Sequence, residues 1–216
     1  MVHTITQYPS PADLHIAQMR DVNVQKDSLR FRNNIKRLSH ILANEIGKTL
    51  TYKDVDVTTP LGTAKCRTLN DQVVIACIFR AALPMHEGFL DIFDNAESAF
   101  LAEYRSYNSD GGFDIKSGYV ASPRLDGKVL IIADPMLATG ASIVTAMDLI
   151  KNLGTPKHIH FASIISSQKG IETVENLAKP CSYDIWTVVT DATLNSHGYI
   201  VPGLGDAGDL CFGEKL

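Results

Sequence analysis

Val129-Leu130-Ile131-Ile132-Ala133-Asp134-Pro135-Met136-Leu137-Ala138-Thr139-Gly140-Ala141-Ser142 decides the reading of this chain. Its first five residues are apolar without a break, as in a strand covered on both faces of a sheet. Asp134 stands at the carboxyl end, a Pro/Gly/Thr/Ser loop follows, and over 143–153 apolar residues recur at helical spacing. A strand, a short loop and a helix make a ready anion site, because the loop amides and the helix N-terminus point at whatever occupies the turn. Thr139 and Ser142 add hydroxyl donors. Asp134 has the wrong sign for a phosphate and must serve another part of the same ligand. A sugar diol beside the phosphate fits, so the stretch reads as a site for a ribose 5-phosphate. The alternative is an ordinary strand-to-helix turn with a Thr/Ser cap. Neither G-x-x-x-x-G-K-[ST] nor G-x-G-x-x-G is present.

The flanking segments repeat the strand and helix alternation. Residues 73–79 are apolar throughout and end at Arg80, and Pro84 suits the first turn of a helix running to about Phe93. A strand is predicted over 99–104, ending at Arg105, then a mobile Gly-rich loop over 107–116 and a returning strand over 119–122. Gly154 stops the helix that follows the motif strand, and strands over 158–166 and 185–189 flank a helix over 171–177. This order predicts an α/β fold, a parallel sheet with helices on both faces. Residues 26–50 form a long amphipathic helix through Leu29, Ile35, Leu38, Leu42 and Ile46. Thr58-Thr59-Pro60-Leu61-Gly62 turns a hairpin or flap within 54–69. Residues 1–25, with Pro9 and Pro11, read as an irregular arm, and from Thr190 a glycine-rich structured loop or small lobe replaces the βα pattern.

The length of 216 residues suits one α/β domain over 1–216, comprising an arm at 1–25 and a lobe at 190–216. A hydrophobic fraction of 45% against 20% charged residues is enough for a proper core. The net charge of −4 provides no basic footprint, which argues against nucleic acid as a partner. No run approaches a membrane span and residues 1–10 lack a signal core, so a cytoplasmic protein without membrane partners is expected. Cys66, Cys77, Cys181 and Cys211 form no C-x-x-C pair and read as free thiols in a reducing compartment.

Arg80 and Arg105 stand past the carboxyl ends of predicted strands, where open α/β sheets bind ligands. Guanidinium groups bind phosphate oxygens bidentately, which suits a diphosphate. The run from Leu194 to Asp209 is rich in glycine, which allows close backbone approach to a ligand. His158-x-His160 share a strand face, but without a Cys or acidic partner at ligand spacing they read as exposed histidines rather than a metal site. His197 reads as structural.

Asp134-Pro135-Met136-Leu137-Ala138-Thr139-Gly140 resembles the phosphoribosyl diphosphate motif of the type I phosphoribosyltransferases, in the form of their uracil branch. The run Leu194-Asn195-Ser196-His197-Gly198-Tyr199-Ile200-Val201-Pro202-Gly203-Leu204-Gly205-Asp206-Ala207-Gly208-Asp209 resembles the uracil-binding hood of that branch. The resemblance is strongest from Val73 to the C-terminus. It implies the type I phosphoribosyltransferase fold with a β-flap and a C-terminal hood. The implied activity is pyrimidine salvage: transfer of the 5-phosphoribosyl group from 5-phosphoribosyl 1-diphosphate to N1 of uracil, giving uridine monophosphate and diphosphate. By the same resemblance Arg80 and Arg105 hold the diphosphate, Asp134 the ribose hydroxyls, and Pro135, Met136, Leu137, Ala138, Thr139, Gly140, Ala141 and Ser142 complete the phosphoribosyl site. Ile200, Gly205, Asp206 and Ala207 read uracil through main-chain groups, and Asp206 also lies near the diphosphate. The implied catalytic set is Arg80, Arg105, Asp134 and Asp206. Mg²⁺ is expected to arrive with the substrate and to need no protein cage. A homodimer or larger homo-oligomer and a GTP effector complete the expected partners.

Two departures carry expectations of their own. Ala141 stands where the branch commonly has glycine, and a positive φ there would strain its methyl group. Ala82 stands where the turn usually reads R-A-G. Both would suit an alternative, a catalytically weak regulator on the same fold that binds nucleotide or phosphoribosyl diphosphate.

Overall fold

The computed structural model describes residues 1–102 and 118–215, with backbone alone at Tyr104–Tyr107 and Phe113–Lys116. In chain order the elements are β1 (Val2–Thr4), a 3₁₀ turn (Ile5–Gln7), α1 (Pro11–Arg20), α2 (Ser28–Gly47), β2 (Tyr52–Thr59), β3 (Gly62–Leu69) and β4 (Val73–Ile78). There follow α3 (Leu83–Leu90), β5 (Glu97–Leu101), β6 (Tyr104–Tyr107), β7 (Phe113–Lys116), β8 (Val120–Ala121), β9 (Val129–Ala133) and β10 (Met136–Leu137). The chain continues with α4 (Ala141–Ile150), β11 (His158–Ser167), α5 (Gln168–Ala178), β12 (Tyr183–Asp191), β13 (Thr193–Leu194), β14 (Ile200–Val201) and α6 (Ala207–Phe212).

The main sheet runs in the order β1-β12-β11-β9-β4-β5-β8, with β10 pairing beside β11. All pairs in it are parallel except β5 with β8. β4 and β9 are buried at every position because both faces are covered. Val73, Ile75 and Cys77 of β4, with Val129, Ile131 and Ala133 of β9, pack into one cluster with α1, α2, α3 and α6. The alternate residues Val74, Ala76, Leu130 and Ile132 pack with Ile143, Ala146 and Ile150 of α4 and with Ile171 and Val174 of α5. The period of two thus sorts one apolar run into two cores. Truncating a fully buried residue such as Ile131 to alanine would cost about 2–5 kcal/mol. α2 buries Phe31, Ile35, Leu38, Leu42 and Ile46 along one stripe, as its spacing predicts. α3 approaches α2 so closely at Gly88 that a Cβ there would stand 2.7 Å from the Lys36 carbonyl oxygen.

Three expectations are corrected. The arm over 1–25 is ordered: β1 is an edge strand paired with β12, and α1 starts with Ser10 and Asp13 in a reciprocal capping box, Pro11 opening the first turn. The strand expected over 99–104 ends at Leu101, and Arg105 belongs to β6, which among the described residues pairs with β7 alone. The loop read over 107–116 is therefore partly a hairpin, and its residues 108–112 lie outside the described residues. The hairpin expected over 54–69 is present as β2 and β3, with Thr59 opposite Gly62.

Candidate active site

β4 and β9 are parallel neighbours with Cys77 opposite Ala133, so the chain leaves both strands at one edge of the sheet. Arg80 and Asp134 stand there. The Phe79–Arg80 peptide is cis. Arg80 Nη2 donates to Asp209 Oδ1 at 2.9 Å and to the Gly213 carbonyl at 3.0 Å. Its Nε–H is buried and has no partner among the described residues. Such a donor is costly to bury unless something else accepts from it.

Asp134 Oδ1 accepts from the Met136 amide at 3.2 Å. Burial raises its carboxyl to about 6, and that backbone hydrogen bond pulls the other way without overcoming it. The following loop is stitched to β11. The Pro135 carbonyl accepts from the Ile164 and Ile165 amides, and Ser167 Oγ donates to the Ala138 carbonyl. Pro135 and Leu137 are buried, with Leu137 inside the core under α4, so these two offer a ligand only main chain. Thr139 and Ala141 are exposed at the open side of the turn, beside half-buried Ser142.

Gly140 is the residue on which the turn depends. Its φ is +85°, and a Cβ there would stand 2.8 Å from the Thr173 side chain. Ala141 already lies in the first turn of α4, and among the described residues no non-glycine has a positive φ. The strain considered for Ala141 is thus absent, because the demanding position is the one before it. Ala82 has φ −80° and ψ −5° and is fully buried, an ordinary position for alanine.

The segment from Thr190 onward folds over this edge as a small lobe. Asn195 Oδ1 accepts from the amides of His197 and Tyr199 at 2.9 and 3.0 Å, closing the β13–β14 turn. His197 is exposed, and its backbone amide is what serves that turn. Gly198, with φ +80°, brings the turn against the Thr139 methyl group. Ile200, Leu204 and Ala207 are buried, so Ile200 and Ala207 also present only backbone to a ligand. Asp206 caps α6 by accepting from the Asp209 amide at 3.0 Å. The Ala207 amide donates to the Met136 thioether at 3.3 Å, which joins the lobe to the loop.

The structure thus brings together Arg80, Asp134, the 135–142 loop, Ile200 and the Gly205-Asp206-Ala207 turn. The Arg105 side chain lies outside the described residues. Sequence reasoning missed Arg20 and Asp191. Arg20 reaches from α1 to Asp191 at the end of β12 and to the Gly203 carbonyl. No local signal could reveal that contact, because its members are 171 or more residues apart.

The opposite edge of the sheet carries a different cluster. His158, His160 and Asp184 place three possible metal-ligand atoms within 4.8 Å of one another. The reading of both histidines as exposed is corrected: His160 is buried, His158 half-buried, and Asp184 is their acidic neighbour across the β11–β12 register. The Trp186 indole N–H donates to His160 Nδ1 at 3.1 Å, which puts the proton of the neutral ring on Nε2. His160 then has no free lone pair for a metal. Burial holds its pKa down to about 4. A cavity of about 800 Å³ opens on this same edge and is lined by Asn44, Lys48, Tyr52, Asp71, Glu97 and Lys128. Among the described residues no helix is long and apolar enough to cross a membrane.

A family model described as uracil phosphoribosyltransferase matches residues 10–214. The chain is 51% identical over 201 residues to a uracil phosphoribosyltransferase of Porphyromonas gingivalis, covering 93% of each. Among solved structures, the AQ2163 protein of Aquifex aeolicus superposes with a TM-score of 0.83 at 28% identity over the full length of both chains. An orotate phosphoribosyltransferase of Mycobacterium tuberculosis, in complex with 5-phospho-α-D-ribosyl 1-diphosphate, is similar in fold alone, with a TM-score of 0.50 and 14% identity over 87% of this chain and 95% of that one.

Proposed function

The chain belongs to the uracil phosphoribosyltransferase family, and on that premise we propose how the carboxyl edge of its sheet performs the family's reaction. The protein is an enzyme of pyrimidine salvage. It transfers the 5-phosphoribosyl group of 5-phosphoribosyl 1-diphosphate to N1 of uracil, releasing uridine monophosphate and diphosphate. The observation that carries the assignment of the site is the buried Nε–H of Arg80, without a partner among the described residues, on the same edge as Asp134 and beneath the lobe. It is a donor waiting for an anionic acceptor.

The 5-phosphate sits in the 135–142 loop, against the first amides of α4 and the hydroxyls of Thr139 and Ser142. Asp134 takes the ribose hydroxyls. Their hydrogen bonds favour its carboxylate form, and the negative charge lies where the sugar becomes cationic in an oxocarbenium-like transition state. Arg80 and Arg105 take the diphosphate, and Asp206 stands beside it. No nucleophile is required, because uracil N1 itself displaces the leaving group, and the protein supplies position and charge. Mg²⁺ bound through the substrate oxygens supplies further charge neutralisation to the diphosphate. The acidic groups at this edge, Asp134, Asp206 and Asp209, suit a metal that keeps most of its own ligands, because Asp206 and Asp209 are partly engaged in the cap and with Arg80.

The hood reads uracil by main-chain groups of Ile200, Gly205, Asp206 and Ala207. Uracil offers two carbonyl acceptors around the N3–H donor. Cytosine puts an amino group where uracil has O4, leaving a backbone N–H unpaired, a mismatch worth on the order of 10⁴ in discrimination. The whole chain, 1–216, acts as one phosphoribosyltransferase domain, with 190–216 as the hood. It works in the cytoplasm as a homodimer or larger homo-oligomer, and the assembly is supported by apolar side chains left exposed on the arm and flap, Tyr8, Leu14 and Leu61.

The test is diphosphate release from 5-phosphoribosyl 1-diphosphate and Mg²⁺ with uracil, cytosine, orotate or hypoxanthine supplied singly, each with and without GTP. Turnover with uracil alone is expected. Tight binding of the sugar diphosphate without turnover on any base would favour the regulator, a reading weakened by the ordinary backbone of Ala82 and Ala141.

A further inference from the structure

We propose that Arg20 and Asp191 form a clamp by which the N-terminal arm positions the hood and so sets the affinity for uracil; this rests on reading 190–216 as the base-binding hood. Arg20 ends α1 and Asp191 ends β12. Arg20 Nη1 and Nη2 donate to Asp191 Oδ2 and Oδ1 at 2.8 and 2.7 Å, a bidentate pair that fixes both planes. Arg20 Nη1 also donates to the Gly203 carbonyl at 3.0 Å, and the Gly203 amide donates to Asp191 Oδ2 at 2.8 Å. Both polar backbone groups of Gly203 are therefore held by one ion pair.

Gly203 is the hood glycine at which an added side chain would clash most severely. Its φ is +63°, and a Cβ would stand 2.0 Å from the Ile200 carbonyl oxygen. The clamped residue thus sits between Ile200 and Gly205, two of the main-chain positions assigned to the base. Gln25 adds a second support from the same arm. Its Nε2 donates to the Met19 carbonyl, and its Oε1 comes within 3.8 Å of the point where a Gly205 Cβ would stand. Asp191 is buried, and the Arg20 side chain keeps 23% of its surface in solvent. The pair stands behind the hood backbone and acts through it, as positioning residues rather than catalytic ones. A readout built from backbone N–H and C=O groups depends on their direction, and a displacement of about 1 Å can cost a factor of 10².

The experiment uses the full chain with Arg20→Ala, Arg20→Lys and Asp191→Asn, varying uracil and 5-phosphoribosyl 1-diphosphate separately. Arg20→Lys keeps the charge and α1 but cannot span both Asp191 oxygens and the Gly203 carbonyl, so it stays folded with Tm within a few degrees. We expect KM for uracil to rise about tenfold in Arg20→Ala and at least threefold in Arg20→Lys, while KM for the sugar diphosphate stays within twofold. An unchanged uracil KM in folded Arg20→Lys overturns the proposal, as does an equal rise in both constants. Amide hydrogen exchange over 194–206 is measured on the same variants. Faster exchange confined to that segment supports the clamp and unchanged exchange overturns it, whether or not the unsubstituted chain turns uracil over.

Discussion

The two edges of the sheet hold comparable sets of polar groups and treat them in opposite ways. At the amino edge, Asp184 accepts from His3 and His158, His158 Nδ1 meets Ser182 and Trp186 donates to His160. Lys157 and the Thr51 amide both bind Asp71. Burial pushes the Asp71 and Asp184 carboxyls up, but these partners outweigh it and hold both below the usual range. At the carboxyl edge burial wins: among the described residues Asp134 has one amide for a partner and its pKa rises to about 6, and Arg80 keeps a buried N–H unpaired. The edge with a cavity of about 800 Å³ and a close group of titratable side chains is the satisfied one. Incomplete pairing, rather than cavity size, is what marks a site prepared for a ligand.

Substitution at the unsatisfied edge gives the largest expected effect. Arg80→Ala should lower turnover by about 10²–10³-fold, and Arg105→Ala by on the order of 10² or more, in steady-state assays with Tm nearly unchanged. Turnover within a few fold of the parent for Arg80→Ala would break the contrast outright. Next comes Gly140→Ala, where a positive φ and the Thr173 contact combine. About 1–3 kcal/mol of stability should be lost in urea unfolding, with a roughly tenfold rise in KM for the sugar diphosphate.

Asp134→Asn sharpens the comparison because it should abolish turnover and yet stabilise the unliganded fold. The folded pKa of about 6 exceeds the unfolded value near 3.9, so the folded state holds more protons between them and the wild type loses stability as pH rises through that window. The variant lacks this loss. Its advantage in urea unfolding should grow to roughly 1–3 kcal/mol at pH 7 and vanish near pH 4. An advantage independent of pH would mean that the folded carboxyl is not raised above its unfolded value.

The smallest effects belong to the satisfied edge and to Ala141. His158→Ala should lower Tm by a few degrees with turnover within about twofold, and a tenfold fall in turnover would remove the distinction between the edges. Ala141→Gly should leave KM for the sugar diphosphate within twofold and cost about 0.5–1 kcal/mol, since it puts glycine into a helical turn that does not need it.

What the sequence disclosed follows from the range of the interactions involved. β9 was readable to the residue, because an unbroken apolar pentapeptide between polar signals has one natural reading as a doubly covered strand. α2 was readable within a few residues from its stripe. The arm was misread because α1 buries only Ala12, Ile16 and Met19, too few for a clear period, although the Ser10 and Asp13 capping signal was there to be found. His158 and His160 share one strand, while their acidic partner lies on the next, 26 residues on from His158, beyond the reach of local spacing. The loop, Asp134, Arg80 and the glycines of the hood could be named from local chemistry. Their mutual placement depends on β4 and β9 being neighbours, and the hood's anchorage depends on a contact across most of the chain.

That last separation bears on how the molecule is made. β1 finds its place only beside β12, with Val2 opposite Ile185, and α1 closes its ion pair only on Asp191. On a ribosome emitting the chain from its amino terminus, the first twenty residues must wait for nearly all the rest before they can dock. The central strands and α2 can assemble while residues 1–20 still sample solvent, so a segment made before the central strands is among the last to be secured. Refolding should therefore end with capture of the amino terminus, and a bulky fusion at that end would slow this final event more than collapse of the sheet.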